Sequence, residues 1–557
     1  MPSDGFQRSR MLQRLSTESF DVLVVGGGIT GAGVALDAAS RGLRTALVER
    51  DDFASGTSSK SSKLVHGGLR YLQQGEVALV YQALRERQRL RHNAPHLVKV
   101  LPFLLPALTE DSVISRRIAR ALRPTLWMYD LTGGWRIGKF HKRLDKEAAF
   151  AHLPTMPKKR LSFAFLYFDA SVDDARLVLD VALTAADEGA VVANGCSVVE
   201  LVKDDDGRVS GAVVDADGRS FTVAAKVVVN AAGVWSDQVR ALDEGHDPAS
   251  IRPAKGVHLT LPWAKVRNDV AVIIPVPKDK RSLFLVPWGH KPDGTFEHTY
   301  VGTTDTDYDG PLDDPQCTRD DIDYVLRAVN ATITSGITAA DVTGAWAGLR
   351  PLVSAPGSGA GSGSSRTADL SRRHTVNTAP SGVVTVTGGK LTTYRQMAED
   401  TVDEVAKLLG RRTKCHTKRL RLIGAEGYRP ATPGSPQAHL AERFGGLATQ
   451  VWALIDSDPS LAQPLVPGLP ELRAEAVYAA RHEMARSLDD VLTRRTRLRL
   501  RDRQATLAAA PEIARLLATE LGWDDAETER QVAHFTALCE AEIVAGLTSE
   551  THGASTP

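Results

Sequence analysis

A short segment near the N-terminus groups side chains that could bind an anion and move a proton. Residues 61–72 read SSKLVHGGLRYL, which places Lys63, His66, Arg70 and Tyr71 around a Gly-Gly pair. Lysine and arginine bind anionic groups, and an imidazole with an unperturbed pKa of about 6.5 can accept a proton. A solvated surface turn has a similar composition, so the interpretation depends on the elements that surround the segment.

A glycine-rich turn between two apolar strands precedes this segment. The sequence FDVLVVGGGITGAGVALDAASRGLRTALVER predicts a strand at 22–25, a GxGxxG turn, a helix of small residues and a second strand that ends at Glu49. Glycine lets backbone N–H groups approach a pyrophosphate, and the helix N-terminus adds partial positive charge. A carboxylate about 20 residues further on can hold ribose hydroxyls. Gly26, Gly28, Gly31 and Glu49 are therefore predicted to bind a dinucleotide.

The turn alone does not distinguish NAD from FAD, and Glu49 argues only against NADP. The run DDFASGTSSKSSKLVHGGLRYL that follows is longer and richer in hydroxyl residues than a minimal NAD domain requires. Later, SGVVTVTGGKLTTYRQMAEDTV predicts a strand, a turn at Gly388 and Gly389, and then a helix. A helix N-terminus over those glycines would suit the electron-rich edge of a reduced flavin. The sequence therefore favours FAD, and it excludes FMN less firmly.

Length and composition indicate a globular, enzyme-sized protein. The 557 residues are 43% hydrophobic and carry a formal net charge of +1, so two or three packed domains are expected and nucleic acid is not. The four cysteines are scattered with no CxxC pair, so neither a metal site nor a disulfide framework is predicted. No segment approaches the roughly 20 apolar residues of a membrane span. A reducing, cytosolic location is expected.

Local composition divides the chain further. The Gly/Ser-rich run 354–371 predicts a flexible loop, either a lid or a disordered segment. Glycine and proline cluster at 424–437, which indicates a linker. Beyond it, apolar residues recur at helical spacing and predict a helical domain. The basic run 494–503 is interpreted as a solvated helix face or a domain junction, because acidic residues before it balance its charge.

Six segments together carry a resemblance to a known family. They are SSKLVHGGLRYL, YFDASVDDARLVLDVA, NAAGVWSD, VGTTDTDYDG, GLRPL and GGKLTTYR. Over about residues 20–410 the sequence resembles the FAD-dependent, respiratory glycerol-3-phosphate dehydrogenases, with a weaker match beyond.

The resemblance implies an α/β fold. An FAD-binding Rossmann-like domain of the glutathione-reductase and D-amino-acid-oxidase type would be interleaved with an α+β substrate domain and followed by a C-terminal α-helical domain. After a basic tail at 1–19, the FAD-binding part would take residues 20–100, 160–255 and 345–423, and the substrate part 101–159 and 256–344. The linker 424–437 and a helical cap at 438–557 would complete the chain.

The resemblance also assigns site residues. The predicted cofactor contacts are Gly26, Gly28, Gly31, Glu49, Ser58, Ser61, Ser62, Lys63, Leu64, His66, Gly67, Ala232, Gly233, Gly388, Gly389, Lys390, Leu391 and Thr392. Substrate contacts map onto Arg70, Tyr71, Arg350, Arg372 and Lys390. Arginine suits a phosphate because its planar guanidinium can bind two oxygens. Arg372 follows the Gly/Ser-rich run, which departs from the family pattern, so Arg373 remains an alternative.

Oxidation of an alcohol also requires a proton acceptor. His66 and His258 are the candidates, and Arg350 could lower the pKa of the alcohol or stabilise an alkoxide. His66 could instead hold the flavin, so the sequence leaves the choice of base open.

The function implied by the resemblance is oxidation of sn-glycerol 3-phosphate to dihydroxyacetone phosphate. A hydride would pass from C2 to flavin N5, and a quinone would receive the electrons. Alternatives are an oxidase that uses O2 and an FAD-dependent amino acid or hydroxy acid oxidoreductase. Peripheral attachment to the inner face of the cell membrane is expected from the family, and a homodimer is left open.

Overall fold

Two β-sheets and a C-terminal group of helices make up the described part of the chain. The computed structural model describes residues 6–68, 76–108, 124–134, 137–277, 279, 281–353 and 373–549. Arg70, Tyr71, Arg372 and the Gly/Ser-rich run 354–371 lie outside the described residues.

The smaller sheet carries the glycine-rich turn and is parallel at its centre. Its central strands are buried and rich in valine and alanine, as expected where both faces of a parallel sheet are covered. In spatial order its strands are Thr375–Thr378, Val384–Thr387, Arg219–Asn230, Ser19–Val25, Thr45–Val48 and Val191–Ala193. Ser197–Lys203 and Val209–Ala216 extend it as an antiparallel meander from Arg219–Asn230.

Small residues let helix Ile29–Ser40 pack closely on the glycine-rich turn and on helix Tyr394–Leu408. A Cβ at Gly31 would lie 1.8 Å from the carbonyl oxygen of Gly26, and a Cβ at Gly33 would lie 2.7 Å from the ring of Tyr394. The close approach places the first turn of the helix directly after the strand Ser19–Val25. The predicted order of strand, turn and helix is therefore present.

The larger sheet is mostly antiparallel. In order, its strands are Thr306–Asp307, Ile251–Pro262, Phe296–Gly302, Ser282–His290, Ala271–Pro275, Lys99–Leu108, Leu161–Ser171 and Leu64–Val65, with Gly344–Val353 paired to Ile251–Pro262 and Lys142–Leu144 paired to Leu161–Ser171. Three of these strands, Leu64–Val65, Leu161–Ser171 and all but the first residue of Gly344–Val353, fall in ranges that the sequence division gave to the FAD-binding part. The domain boundaries themselves stay a proposal.

The register of one strand pair positions much of the site. Ile251–Pro262 and Gly344–Val353 run antiparallel, with Gly256 opposite Gly348 and His258 opposite Trp346. Side chains alternate between the two faces of a strand, so Gly256 and His258 share a face. The two opposed glycines leave room for neighbouring groups to approach this face: a Cβ at Gly348 would lie 2.6 Å from the carbonyl oxygen of Lys60.

Helices cover the sheets and form the C-terminal part. Outside that part, the helices are Arg8–Thr17, Ile29–Ser40, Val77–Asn93, 124–129, Lys146–Ala151, Asp174–Asp187, Ser236–Glu244, Trp263–Val266, Arg319–Thr332 and Tyr394–Leu408. The predicted N-terminal tail thus contains a helix, and its Arg8 bonds to Asp217 and to the carbonyl of Asn194. Of the helices that the structure describes, none is long and apolar enough to cross a bilayer.

The C-terminal part is helical, as predicted. Its helices are Pro436–Phe444, Ala448–Ser457, Arg473–His482, Leu498–Arg501, Arg503–Leu521 and Asp525–Leu547. The short helix docks on the larger sheet, because the carbonyl of Leu500 accepts a 2.6 Å hydrogen bond from the hydroxyl of Thr260. The carbonyl of Arg501 accepts a similar bond from Thr343.

Candidate active site

A cavity of about 620 Å³ is lined by residues of both sheets. Most of the predicted cofactor contacts reach it, although they come from four separate segments of the chain. Those that line it are Gly26, Gly28, Glu49, Ser58, Ser61, Ser62, Leu64, His66, Ala232, Gly233, Gly388, Gly389, Lys390, Leu391 and Thr392, together with His258 and Arg350. The fold therefore gathers the glycine-rich turn and the predicted catalytic groups around one space.

Three predicted cofactor contacts lie behind the cavity wall instead. Gly31 packs against the backbone of Gly26, as described above. The ammonium group of Lys63 is buried and donates to Asp174 and to the carbonyl of Ser59. The backbone N–H of Gly67 is directed to the hydroxyl of Tyr129. Burial and these internal bonds assign the three residues to supporting the wall.

The end of the cavity at the glycine-rich turn suits a dinucleotide. Gly26 has a φ of 110°, and a Cβ there would lie 2.8 Å from the carbonyl oxygen of Ala231. The backbone N–H of Ile29, at the start of the helix, donates to the hydroxyl of Ser58 at 3.0 Å. This end thus combines a close backbone approach, a helix N-terminus and a hydroxyl side chain, which is the donor set a pyrophosphate requires.

Glu49 lies beside this turn. Its carboxylate accepts hydrogen bonds from the backbone N–H of Gly27 at 2.5 Å and of Asp51 at 2.9 Å. Burial raises the pKa of Glu49 to about 7, despite those two donors, and the neighbouring carboxylates of Asp51 and Asp52 add to the rise. A buried carboxylate in this position gains from further donors such as ribose hydroxyls.

The other end of the cavity is formed by the second glycine turn. Gly388 and Gly389 have φ values of 76° and 80°, and the short turn Leu391–Thr393 leads into helix Tyr394–Leu408. The N-terminus of that helix contributes partial positive charge at this end of the cavity, which suits the electron-rich edge of a reduced flavin. The residues present therefore fit FAD along the whole cavity.

His258 is the most enclosed of the predicted catalytic groups. It is 2% exposed, its Nε2 lies 2.9 Å from the hydroxyl of Ser62, and its ring stacks on Trp346 with centroids 4.8 Å apart. Gly302 must be a glycine here, because a Cβ would lie 2.2 Å from the imidazole. The ring is held on two sides while it lines the cavity.

The surroundings of His258 favour its neutral form. Burial lowers its pKa well below the usual value, and the positive charges of Lys63 and Arg350 lower it further. A neutral imidazole retains a lone pair and can accept a proton at neutral pH. The electrostatics therefore keep the ring in the unprotonated form from which a general base acts.

Arg350 lies on the neighbouring strand and is fixed by three acceptors. Its Nη1 donates to Asp305 at 3.0 Å, and its Nη2 donates to the hydroxyl of Thr303 and the carbonyl of Thr304, both at 3.1 Å. A Cβ at Gly256 would lie 2.5 Å from the guanidinium, so the facing glycine makes room for it. A cation held in place in this way can orient an anionic substrate.

The remaining predicted residues differ in how far the structure places them. Lys390 and His66 are half-buried and line the cavity, and the backbone N–H of His66 donates to the hydroxyl of Thr392 at 3.2 Å. Arg373, the alternative to Arg372, is exposed and paired with Glu76. Its position gives no support to a substrate role.

Sequence reasoning missed two residues that support the site. Trp346 backs the imidazole, and Asp174 binds Lys63 and Ser61 behind the wall. The alternation of GAWAGLRPL along a strand, with Trp346 two residues before Gly348, carried a signal for the first. Within the described ranges, no group of three or more His, Cys, Asp or Glu side chains is placed to hold a metal ion.

Fold and cavity together define an FAD-dependent oxidoreductase. Residues 21–395 match the family described as FAD dependent oxidoreductase, and residues 415–528 match the C-terminal domain of alpha-glycerophosphate oxidase.

Comparison with individual proteins shows which FAD-dependent oxidoreductases this chain is similar to. The chain is 40% identical over 97% of its length to glycerol-3-phosphate dehydrogenase 2 of Mycobacterium tuberculosis, of which it covers 91%. It is 36% identical over 94% of its length to the human mitochondrial glycerol-3-phosphate dehydrogenase, of which it covers 74%. A solved glycerol-3-phosphate dehydrogenase from Bacillus halodurans, complexed with FAD, superposes with a TM-score of 0.77 at 30% identity, covering 99% of this chain and 100% of that one.

The chain belongs to the glycerol-3-phosphate dehydrogenase family. The predicted family, the predicted fold class and the predicted FAD cofactor are confirmed.

Proposed function

We propose that this protein oxidises sn-glycerol 3-phosphate to dihydroxyacetone phosphate and passes the electrons to a membrane quinone. The observation that carries the proposal is the placement of a neutral, buried imidazole, His258, in the same cavity as the cationic side chains of Arg350 and Lys390. A secondary alcohol that carries a phosphate needs both: a base for the hydroxyl proton and positive charge for the anion. FAD, when bound, supplies the acceptor for the hydride from C2.

Substrate binding is assigned to the cations of the cavity. Asp305 and the backbone of Thr304 fix the guanidinium of Arg350, so its positive charge stays directed along the strand face that also carries Gly256 and His258. Lys390 contributes a second cation from the opposite glycine turn. Arg70, Tyr71 and Arg372 stay proposed substrate contacts on the family resemblance alone.

Proton removal is assigned to His258. The developing imidazolium is disfavoured in the empty cavity, because burial penalises the charge and Lys63 and Arg350 add positive charge around it. A bound phosphate dianion offsets that charge and makes His258 a stronger base, so proton transfer is coupled to occupancy by the correct substrate. The hydroxyl of Ser62 orients the ring.

Two alternatives differ in substrate or acceptor. An amino acid or hydroxy acid carries one carboxylate, and two or more cations in the cavity suit a phosphate better. Oxygen as acceptor is kept as an alternative because residues 415–528 match a domain described from an oxidase.

A spectroscopic titration tests the substrate. Purified protein is titrated anaerobically with glycerol 3-phosphate, and separately with D-alanine and with 2-hydroxyglutarate, while the visible flavin bands are recorded. Bleaching by glycerol 3-phosphate alone is expected. Bleaching only by one of the other two would replace the proposed substrate class. Reoxidation of the bleached enzyme by a short-chain quinone and by O2 is then timed, and faster reoxidation by O2 would make the protein an oxidase.

An exposed apolar patch supports the membrane part of the proposal. It consists of Trp127, Met128, Leu131 and Phe140, whose exposed fractions lie between 37% and 68%. The ring centroids of Trp127 and Phe140 are 6.4 Å apart, so the patch is continuous between these two side chains. Tryptophan is enriched at membrane interfaces, and exposed apolar patches of this kind mark binding surfaces.

Cations beside the patch favour a lipid surface as its partner. Lys139 and Lys142 flank Phe140 and are exposed, and each basic residue near an anionic bilayer contributes about 1 kcal/mol of attraction. The patch also lies close to the cofactor cavity, because Tyr129, beside Met128, accepts from the backbone N–H of Gly67, the neighbour of His66. A surface docked there would bring lipid-soluble quinone near the flavin.

Vesicle sedimentation tests this surface. Leu131→Ser and Trp127→Ser are compared with Leu547→Ser, which removes an equally exposed apolar side chain from the last helix. The first two variants are expected to lose binding to vesicles containing phosphatidylglycerol, while the third binds as the wild type does. Equal binding by all three would remove the patch from the proposal. A homodimer stays a proposal, to be tested by light scattering.

A further inference from the structure

A buried arginine of the C-terminal helices reaches a loop of the cofactor cavity. Arg497 is 1% exposed and directly precedes the helix Leu498–Arg501. Its Nη1 donates to the carbonyl of Ser59 at 3.3 Å, and its Nε donates to Asp173 at 3.0 Å. Its Nη2 donates to Asp174. One guanidinium thus joins the C-terminal part to the loop formed by residues 59–63.

Asp174, which binds Arg497, also binds two residues of the loop. Its carboxylate accepts from the ammonium of Lys63 at 3.0 Å, and from the backbone N–H and hydroxyl of Ser61 at 3.0 and 2.7 Å. Asp174 is fully buried. A buried carboxylate that loses one of its cations is costly, so the loop conformation depends on Arg497 remaining in place.

From the loop, two contacts lead to His258. The hydroxyl of Ser62 meets the imidazole Nε2 at 2.9 Å. The carbonyl of Ser61 accepts from the indole N–H of Trp346 at 3.2 Å, and that indole stacks on His258. The proposed base is therefore held on both sides by groups that bond to the loop.

Two residues that bind Asp174, Arg497 and Lys63, have positive φ angles. Arg497 and Lys63 have φ values of 67° and 54°, in the left-handed region that favours glycine. Non-glycine residues in this region persist where the surrounding structure holds them. Both residues bond to the same carboxylate, that of Asp174.

We propose that Arg497 is a positioning residue for the flavin reaction. Through Asp174 it holds loop 59–63 in the conformation that sets Ser62 against His258 and that forms the cavity wall beside FAD. The inference rests on the proposed function for the identity of the reaction, but Arg497 and Asp174 themselves lie outside the cavity lining. It adds an active-site role to the C-terminal helices.

The matched control is another buried arginine between the same two parts of the chain. Arg176 is 3% exposed and makes two hydrogen bonds to Glu483. Arg176 belongs to the helix that Asp174 opens, and it bonds away from loop 59–63. If Arg497 only stabilised the fold, Arg497→Met and Arg176→Met would have the same effect on FAD affinity and on the rate of bleaching.

The experiment compares the two variants in two measurements. Apoprotein is titrated with FAD by flavin fluorescence, and the holoenzyme is mixed with saturating glycerol 3-phosphate to obtain the rate constant of bleaching. Arg497→Met is expected to raise the FAD dissociation constant and to lower the bleaching rate constant by about tenfold each, the effect of losing a charge-assisted hydrogen bond. Arg176→Met is expected to match the wild type in both.

Conservative variants keep the test decisive if the methionine variants do not fold. Arg497→Lys keeps the charge but cannot bridge Asp173, Asp174 and Ser59 together, so an intermediate loss in both measurements is expected, whereas Arg176→Lys should show none. Wild-type values for Arg497→Lys or Arg497→Met, or equal losses in the Arg176 variants, would overturn the inference. Failure of wild-type protein to bleach would instead refute the proposed substrate, and the FAD titration would still be interpretable.

Discussion

The imidazole of His258 lies flat against the indole of Trp346, with the ring planes 7° apart and the centroids 4.8 Å apart. The two residues face each other on neighbouring antiparallel strands. Strand register and stacking together fix the plane of the imidazole, so its hydrogen-bonding edge is directed before any ligand arrives. Pre-organisation of this kind is what a general base requires.

The stacking predicts distinct effects of two substitutions at Trp346. Trp346→Phe keeps an aromatic face for His258 but loses the bond to the carbonyl of Ser61, so a modest loss of flavin reduction rate is expected, of about three- to tenfold. Trp346→Leu loses the aromatic face too and should be slower still. Stopped-flow bleaching with glycerol 3-phosphate measures both. Equal rates in the two variants would show that the ring contact is irrelevant.

Alanine substitutions of His258 and His66 should impair the enzyme in different ways. His258→Ala is expected to keep a normal flavin spectrum and to slow bleaching by about 10² to 10⁴, the usual value of a general base. His66→Ala is expected to weaken FAD retention or to shift its redox potential as well as turnover, because it removes an imidazole that lines the cofactor cavity. Unchanged bleaching in His258→Ala would transfer the role of base to His66.

The pH dependence of bleaching follows from the lowered pKa of His258. A base acts when it is deprotonated, and burial with two nearby cations lowers this pKa well below the usual value. The ratio of wild-type to His258→Ala second-order rate constants at low glycerol 3-phosphate reports the free enzyme and cancels the titration of the substrate phosphate. This ratio should therefore stay level between about pH 6.5 and 8. A ratio that falls by half toward pH 6.5 would indicate an unperturbed imidazole.

The raised pKa of Glu49 predicts that FAD affinity depends on pH. With a pKa of about 7, Glu49 is mostly protonated at pH 6 in the empty site, whereas ribose hydroxyls bind best to the ionised form. Binding then releases a proton, so affinity should fall as pH decreases through 7, by up to about tenfold per pH unit. Titration of apoprotein with FAD measures this. Glu49→Gln should bind weakly at all pH values, and the exposed control Glu200→Gln should behave as the wild type does.

Two glycines of the same turn should respond differently to alanine. A Cβ at Gly31 would lie 1.8 Å from a backbone carbonyl, so Gly31→Ala should lower the melting temperature of the apoprotein, with a cost of about 1–3 kcal/mol or more. A Cβ at Gly28 would meet only the hydroxyl of Ser58, at 3.1 Å, and would project at the cavity. Gly28→Ala should therefore spare the apoprotein and weaken FAD binding. Thermal melts with and without FAD separate the two outcomes.

The cofactor end of the site was predictable because its chemistry is local. The turn at Gly26 and the carboxylate of Glu49 lie within one strand-helix-strand unit, whose spacing alone fixes their proximity. The catalytic end was harder to predict. His258 and Arg350 meet through the pairing of two strands that are distant in sequence, and only the family resemblance brought them together.

Supporting residues were missed for a related reason. Asp174 and Arg497 are far apart in the chain and look like ordinary surface charges, yet both are buried and bonded to each other. The basic run 494–503 was interpreted as a solvated face or a domain junction, and the buried Arg495, Arg497 and Arg499 agree with a domain junction. Burial of a charge depends on its partners. Arg495 and Arg497 pair with Asp52 and Asp174, which no local sequence window contains.

The smaller sheet also sets the order in which the protein is completed during synthesis. Its first strand is Ser19–Val25, whereas Val384–Thr387, which pairs with Arg219–Asn230, leads into the second glycine turn. A ribosome that adds about 5–20 residues per second takes on the order of tens of seconds to pass from one to the other. During that interval the nascent chain has the pyrophosphate end of its cavity without the opposite wall. Translation arrested before residue 384 should therefore yield chains that do not retain FAD. The supply of FAD should matter only after most of the polypeptide has been made.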